Sequence, residues 1–351
     1  MAEDWRTACW KAEREVEEYK GTIVPALVEK VRELEEQLRK AERMNERQSI
    51  VMGKMHDEVC FMRQFIHRHG LESALASEWE RERKIHNGGN MLNDLEIITK
   101  KFPGNDDITI IPISDVHLGA KEHKQREWEL FCASVLKEPH TYITLGGDLL
   151  NNATRNSVSN IFEETMRPSE QKKLMAKMLE PLRDRIICGV TGNHERRSGK
   201  DADDDPTYDI MCKLDIEHLH RENIAFVKIQ IGRQEANGQK NPTYKIAVTH
   251  GAGGGVLTGS SVNRNERFGY TIDGLDMLIV GHSHKPVITQ PYKLVFDCQN
   301  NRITQKPFKV VTSASWLDYG GYAAQKMLIP SGYAKQKITL CGDHKEILVT
   351  M

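Results

Sequence analysis

The chain has 351 residues, 39% hydrophobic and 28% charged, with 49 Lys and Arg against 50 Asp and Glu. That length supplies a full hydrophobic core and predicts two domains. A net charge of -1 excludes nucleic-acid binding through overall basicity, so any such binding must come from local patches.

Seven Cys are scattered through the chain (Cys9, Cys60, Cys132, Cys188, Cys212, Cys298 and Cys341) with no Cys-x-x-Cys. This argues against a disulfide framework and against a Cys-type zinc site. The first residues, Met1-Ala2-Glu3-Asp4-Trp5-Arg6, lack the apolar core of a signal peptide. No run approaches the roughly 18 apolar residues of a membrane span. The expected setting is soluble, reducing and cytoplasmic, with no membrane partner.

Residues 1–100 predict helices. Trp5, Cys9, Ala12, Val16 and Tyr19 form one apolar stripe, and Val24, Leu27, Val31, Leu34, Leu38 and Ala41 a second. Met52, Met55, Val59, Met62 and Ile66 form a third. Each is the narrow face of an amphipathic helix. Two readings stand: a coiled-coil arm that makes a homo-oligomer or docks a protein partner, and a small helical bundle. The register falters after Ala41, where Asn45 and Gln48 occupy the seam. His67-Arg68-His69 read as solvated face residues. Residues 100–105 read as a linker, which sets the domains at 1–100 and 105–351.

Beyond the linker, the apolar run 108–113 predicts a buried strand ending in Ser114-Asp115-Val116-His117-Leu118-Gly119. A helix is expected over 124–136. The next strand, 142–145, runs into Gly146-Gly147-Asp148, where glycines allow a sharp turn. A helix over 169–182 follows, then a strand over 185–190 that ends at Gly192-Asn193-His194-Glu195. Strands 244–249 and 276–280 end at His250 and at Gly281-His282-Ser283-His284. Any one such ending is an ordinary turn. Five in succession, drawn from Asp, His and Asn, point to a metal centre at the carboxyl ends of strands. Carboxylate and imidazole donors suit Mn²⁺, Fe²⁺ or Zn²⁺. The tail beyond Pro286 reads as antiparallel strands completing a second sheet. Trp128, Phe131, Phe226 and Trp316 read as core, and no nucleic-acid-binding aromatic motif stands out.

The five endings, taken together and in this order, resemble the calcineurin-like metallophosphoesterases. The resemblance covers roughly residues 105–350. It implies an α/β fold, a sandwich of two mixed β-sheets flanked by helices. The opening Ser-Asp-Val-His-Leu-Gly is similar to the branch holding DNA-repair exonucleases and the archaeal polymerase small subunit, and the chain as a whole resembles phage or prophage members. Two departures leave the branch open. Many nuclease-like members carry Asp where Glu195 stands. The protein Ser/Thr phosphatases carry Glu there, but their Asp-Arg-Gly is replaced by Asp148-Leu149-Leu150-Asn151-Asn152.

The resemblance implies two divalent metals. Asp115, His117, Asp148 and His284 would hold one, and Asp148, Asn193, His250 and His282 the other, with Asp148 bridging. A hydroxide between the metals would attack phosphorus, and His194 would protonate the leaving oxygen. Mn²⁺ is the expected ion, with Fe²⁺, Zn²⁺, Ni²⁺ and Mg²⁺ as alternatives. Glu195 either orients His194 or pairs with Arg196 or Arg197.

Arg196, Arg197, Arg264 and Arg267 are candidate phosphate contacts, each with a solvated-surface alternative. The acidic run Asp201, Asp203, Asp204 and Asp205 reads as a cleft lip or a solvated loop. Gly251-Ala252-Gly253-Gly254-Gly255 is neither a Walker nor a dinucleotide loop and reads as a mobile segment by the site. The expected function is a phosphodiesterase acting on nucleic acid or a nucleotide. Its alternatives are a phosphomonoesterase and, disfavoured by His194, an inactive metal-bound docking protein.

Overall fold

A computed structural model of the protein describes residues 29, 30, 32, 33, 36 and 95–351, except 156, 158–160, 233–240, 256 and 331–334. The chain divides into two units, Met1–Asn90 and Met91–Met351. In the first, the described residues Glu29, Lys30, Arg32, Glu33 and Glu36 are helical, with Lys30 Nζ 2.6 Å from Glu33 Oε2. The rest of the expected N-terminal helices lies outside the described residues.

The second unit opens with strand β1 (Ile97–Phe102). Lys100–Phe102, expected as linker, is thus strand: β1 pairs in parallel with β6, a partner far away in sequence. Next come β2 (Ile108–Ile113), helix α1 (Gln125–Lys137) and β3 (Thr141–Leu145). Helix α2 (Pro168–Leu179) starts at a proline, tolerated in a first turn, and leads into β4 (Ile186–Val190). Two short helices follow, α3 (Glu195–Ala202) and α4 (Pro206–Lys213). Asp205 caps α4 by accepting from the Thr207 and Tyr208 backbone N–H groups. Then come β5 (His220–Arg221), β6 (Ile224–Ile231), β7 (Thr243–Thr249), α5 (Thr258–Tyr270), β8 (Met277–Val280) and β9 (Val287–Thr289). The tail carries β10 (Tyr292–Asp297), β11 (Arg302–Pro307), β12 (Lys309–Thr312), α6 (Gly321–Gln325), β13 (Lys337–Leu340) and β14 (Ile347–Thr350).

These strands build the expected architecture, two large mixed sheets flanked by helices. One has the order β14-β13-β2-β3-β4-β5, the other β1-β6-β7-β8-β12-β9. β2 to β5 run parallel, as do β7, β8 and β12. Strands such as β4, buried at every residue, read as unbroken apolar runs because both faces are covered. The tail differs from expectation. Its strands do not complete one sheet: β12 joins β8, β13 and β14 extend the sheet of β2, and β10 with β11 forms a separate hairpin. The four aromatics expected in the core are there. Trp128 is fully buried, edge-on to Trp316 at 5.0 Å and stacked on Phe131 at 5.7 Å, and Phe226 packs half-buried on the core of the other sheet.

Candidate metal centre

Five strands from both sheets deliver their last residues to one place. β2 ends before Asp115 and His117, β3 before Asp148, and β4 before Asn193 and His194. β7 ends before His250, and β8 before His282 and His284. The backbone must turn abruptly to bring these side chains together. Asp115, His117, Asp148, His282 and His284 all have φ between 49° and 66°, a left-handed conformation that is uncommon for residues other than glycine and that concentrates at functional sites. Gly147 has φ 83°, and a Cβ there would sit 2.6 Å from the Gly192 backbone nitrogen. The second and third strand endings, at Asp148 and Asn193 (motifs two and three), therefore cross at a distance only glycine permits.

Each carboxylate divides its oxygens. Asp115 Oδ2 accepts from the Ser114 hydroxyl and from the His282 backbone N–H, the latter at 2.9 Å. Its Oδ1 is buried without a hydrogen bond and faces His284 Nε2 at 3.1 Å and His117 Nε2 at 3.9 Å. Asp148 Oδ1 accepts from the His194 backbone N–H at 2.8 Å. Its Oδ2 faces His250, His194 and His117 at 3.3, 3.7 and 3.9 Å. Around the second group, Asn193 Oδ1 lies 2.8 Å from His250 Nε2 and 2.7 Å from His282 Nδ1. His250 donates its Nδ1 proton to Gly146 O at 2.8 Å, which fixes its tautomer and aims Nε2 inward.

The donor atoms fall into three overlapping sets: Asp115, His117 and His284; His117, Asp148 and His194; and Asp148, His250 and His282. His117 and Asp148 each belong to two sets. A buried Asp115 oxygen without a hydrogen bond, set among imidazole nitrogens, calls for a positive charge at this place, and the donor set fits divalent metals.

A family model for calcineurin-like phosphoesterases matches residues 108–286. The chain belongs to that family. It is a phosphate-ester hydrolase with a His/Asp metal site. No curated protein matches this phosphoesterase. Among solved structures it is similar to a conserved uncharacterized protein, a predicted phosphoesterase, from Streptococcus pneumoniae TIGR4. The two are 12% identical, with a TM-score of 0.29, and the alignment covers 70% of this chain and 98% of that one; at that score the likeness adds nothing to the family assignment.

Between the protein groups of the phosphoesterase, charge is strongly polarised. Burial alone would raise the Asp115 and Asp148 carboxyls, but the surrounding imidazoles, His284 for Asp115 and His250 for Asp148, hold both well below the usual range. Burial opposes a charge on His250, yet Asp148 and then Asp115 outweigh it and lift its pKa to about 10. His117 is held low by burial and by His194.

His194 stands at the rim. It donates Nδ1–H to Asn151 O at 2.8 Å, and its Nε2 accepts from Arg197 Nη2 at 2.9 Å. Burial, then the Arg197 charge, holds its pKa low against the pull of Asp148.

The structure separates the four candidate arginines. Arg197 also donates to Asn151 O at 3.1 Å and so sits on the centre. Arg196 does not: its Nη2 donates to Thr191 O and Glu222 O at 3.2 and 2.6 Å, bracing the β4 exit. Arg264 lies against Gly253 and Gly254 of the glycine segment, donating to Gly254 O at 3.4 Å, while Gly253 O is 3.1 Å from His282 Nε2. Its Nε is buried without a partner. Arg267 is exposed on α5.

Glu195 takes neither of the roles expected for it. It is fully buried and accepts three backbone N–H bonds, from Asp148 and Leu150 at 2.9 Å and from Gly192 at 3.0 Å. It ties motif two to motif three. Two of the four residues of the acidic run are engaged as well. Asp204 pairs with Lys172 at 3.0 Å, and Asp205 accepts from Thr191 Oγ1 while capping α4.

Sequence reasoning missed Asn152 and Gln171. Asn152 Nδ2 holds His194 O at 2.8 Å, and Gln171 Oε1 accepts from the Asn152 N–H at 2.9 Å. Asn152 follows motif two closely enough to have been considered. Gln171 gives no sequence signal, since it lies in the first turn of α2, away from every strand ending.

Proposed function

We propose that this protein is a dinuclear-metal phosphodiesterase acting on nucleic acid or a nucleotide. The observation that carries the two-metal reading is Asp148 Oδ2, which faces donors of both outer sets, His117 at 3.9 Å and His250 at 3.3 Å. Asp115, His117, Asp148 and His284 are assigned to one metal, and Asp148, Asn193, His250 and His282 to the other. Oxygen and imidazole donors without thiolate suit Mn²⁺. Divalent ions there supply Lewis-acid activation of water and of the phosphate oxygens.

The remaining work falls to the chain's own side chains. Arg197 and Arg264 bind non-bridging phosphate oxygens. His194 gives a proton from Nε2 to the leaving oxygen. In the free protein that nitrogen accepts from Arg197, so Arg197 must leave it before His194 can donate. An anionic phosphate draws the guanidinium away, which frees Nε2 to take a proton from solvent and lessens the smaller of the two effects, burial and the Arg197 charge, that hold the imidazole neutral. The diester preference draws on the exonuclease-like opening motif. It also draws on the acidic run, whose Asp204 and Asp205 are tied into internal bonds rather than lining a repelling lip.

The test is hydrolysis of bis-nitrophenyl phosphate against nitrophenyl phosphate by the Mn²⁺-loaded protein, with a chelated control. The diester is expected to be the better substrate, followed by single-stranded DNA, RNA or cyclic nucleotides. A clear monoester preference would overturn the reading in favour of a nucleotide, metabolite or protein phosphatase. The expected N-terminal helices are assigned to self-assembly, and deleting residues 1–94 is expected to lower the number of copies per particle, as counted from the mass by light scattering.

A further inference from the structure

The turn between β13 and β14, Cys341-Gly342-Asp343-His344-Lys345-Glu346, gathers a second group of metal-competent side chains. Cys341 Sγ, a His344 ring nitrogen and a Glu346 carboxylate oxygen all lie within 4.8 Å of one another. Donors about 2.0–2.3 Å from a tetrahedral zinc lie roughly 3.5 Å apart, so small side-chain rotations close the set.

Several features distinguish this group from an ordinary acidic turn. Cys341 is a free thiol and only 5% exposed, while its would-be partners His344 and Glu346 are exposed beside it. Asp343 Oδ1 bonds His344 Nδ1, and Glu346 Oε2 lies 2.9 Å from Nε2. Both ring nitrogens thus face carboxylate oxygens: Asp343 holds the Nδ1 side, and a zinc ion replacing the proton between Nε2 and Glu346 would find the imidazole already oriented. That is how a carboxylate orients a zinc-binding imidazole. Asp107 anchors the turn by accepting from the Gly342 N–H at 2.9 Å. The neighbouring cation is used elsewhere, since Lys345 Nζ pairs with Asp276 at 2.7 Å.

The group is remote from the catalytic centre. Leu340 pairs with Ile108, the first residue of β2, whereas Asp115 follows the last residue of that strand. A six-residue strand separates them by about 20 Å. The turn also touches the other sheet. The Tyr244 hydroxyl, at the start of β7, lies 2.6 Å from Cys341 O and 2.9 Å from His344 O, and it accepts from the Glu346 N–H at 3.2 Å.

We propose that Cys341, His344 and Glu346 form a mononuclear zinc site, separate from the phosphoesterase centre, that pins the β13–β14 turn against Tyr244 and so staples the two sheets. The ligands are one thiolate, one imidazole and one carboxylate, with the fourth position left to solvent. Binding releases the thiol proton, and its effect is on stability rather than turnover.

The test uses the full-length protein, stripped with chelator and titrated with Co²⁺. None of the three donor sets of the catalytic centre contains Cys, so a thiolate-to-cobalt charge-transfer band reports on a site outside it. We expect the band to saturate with one equivalent, to be displaced by Zn²⁺, and to be absent from both Cys341→Ser and His344→Ala. Both variants should keep wild-type phosphoesterase turnover. Zn²⁺ should raise the melting temperature of the wild type more than that of His344→Ala. His344 is exposed, so that variant remains informative even if Cys341→Ser fails to fold. Absence of the band from the wild type would overturn the proposal, as would its survival in His344→Ala, which would remove the imidazole from the site, or in Cys341→Ser, which would assign it to another of the seven cysteines.

Discussion

At the residue scale, His194 and Glu195 are neighbours with separate duties. The His194 ring faces the rim, bonded to Asn151 O and Arg197, while the Glu195 carboxylate points inward to three backbone N–H groups. A proton donor matters most when the leaving group is a poor one. His194→Ala is therefore expected to lower kcat about 10²–10⁴-fold on an alkyl phosphodiester. The loss should be much smaller on a nitrophenyl ester, whose phenolate leaves without a proton. Bound metal, counted by mass spectrometry, should stay at the wild-type level; a fall would make His194 a ligand, as its place in a donor set with His117 and Asp148 permits. Glu195→Gln turns one acceptor oxygen into an NH₂ that faces N–H donors. It is expected to cost about 1–3 kcal/mol of stability in urea unfolding and to weaken metal retention, because the Asp148 N–H and the Gly192 N–H lose a common acceptor.

At the element scale, α1 supports the centre from below. Trp128 packs on Phe131 and Trp316, and the Trp316 backbone N–H donates to Asp115 O at 3.0 Å. The aromatic layer thus holds the turn that presents Asp115. Lys335 lies over the Trp316 ring at 3.6 Å and donates to Ser315 O at 2.9 Å. Burial, with Lys124 nearby, pushes its pKa down to about 7 from an ordinary 10.5. Between those two values the unfolded chain carries the extra proton, so stability rises with pH across that window, and the cost of charging the buried amine is fully present below it. Lys335→Met should remove this slope, read as the urea midpoint measured from neutral to alkaline pH. An unchanged slope would show that the amine is solvated in the folded protein.

At the scale of the whole molecule, two sheets meet at one end, and each of the two proposed metal positions draws donors from both. Asp115, His117, Asp148 and Asn193 come from the sheet of β2, and His250, His282 and His284 from the sheet of β7. Metal is therefore expected to join the halves. Chelation should lower the melting temperature, and divalent ions at about 100 times their Kd should restore roughly 2.7 kcal/mol. Calorimetry with and without chelator checks this. Among the described residues no helix is long and apolar enough to cross a membrane.

The family, the two-sheet fold and the strands that carry the centre were legible in the sequence. The reason is local: an apolar run and the donor residues at its end are contiguous, and five such units report the same chemistry. Other features were decided only by tertiary structure. Arg196 and Arg197 are adjacent in sequence, but only Arg197 lies three residues from His194 on one helix face, so it alone reaches the ring. That spacing was readable, although the fate of Arg196 at Glu222 O was not. Glu195 found two of its partners in the segment after β3, the Lys100–Phe102 stretch became strand through a partner more than a hundred residues away, and the tail strands were distributed among three sheets. Cys341, His344 and Glu346 sit within six residues, yet only the fold of the turn brings thiol, imidazole and carboxylate together. Local propensity sets which segments become strands and which residues end them. Which strands pair, and which side chains then converge, depends on contacts between segments distant in sequence.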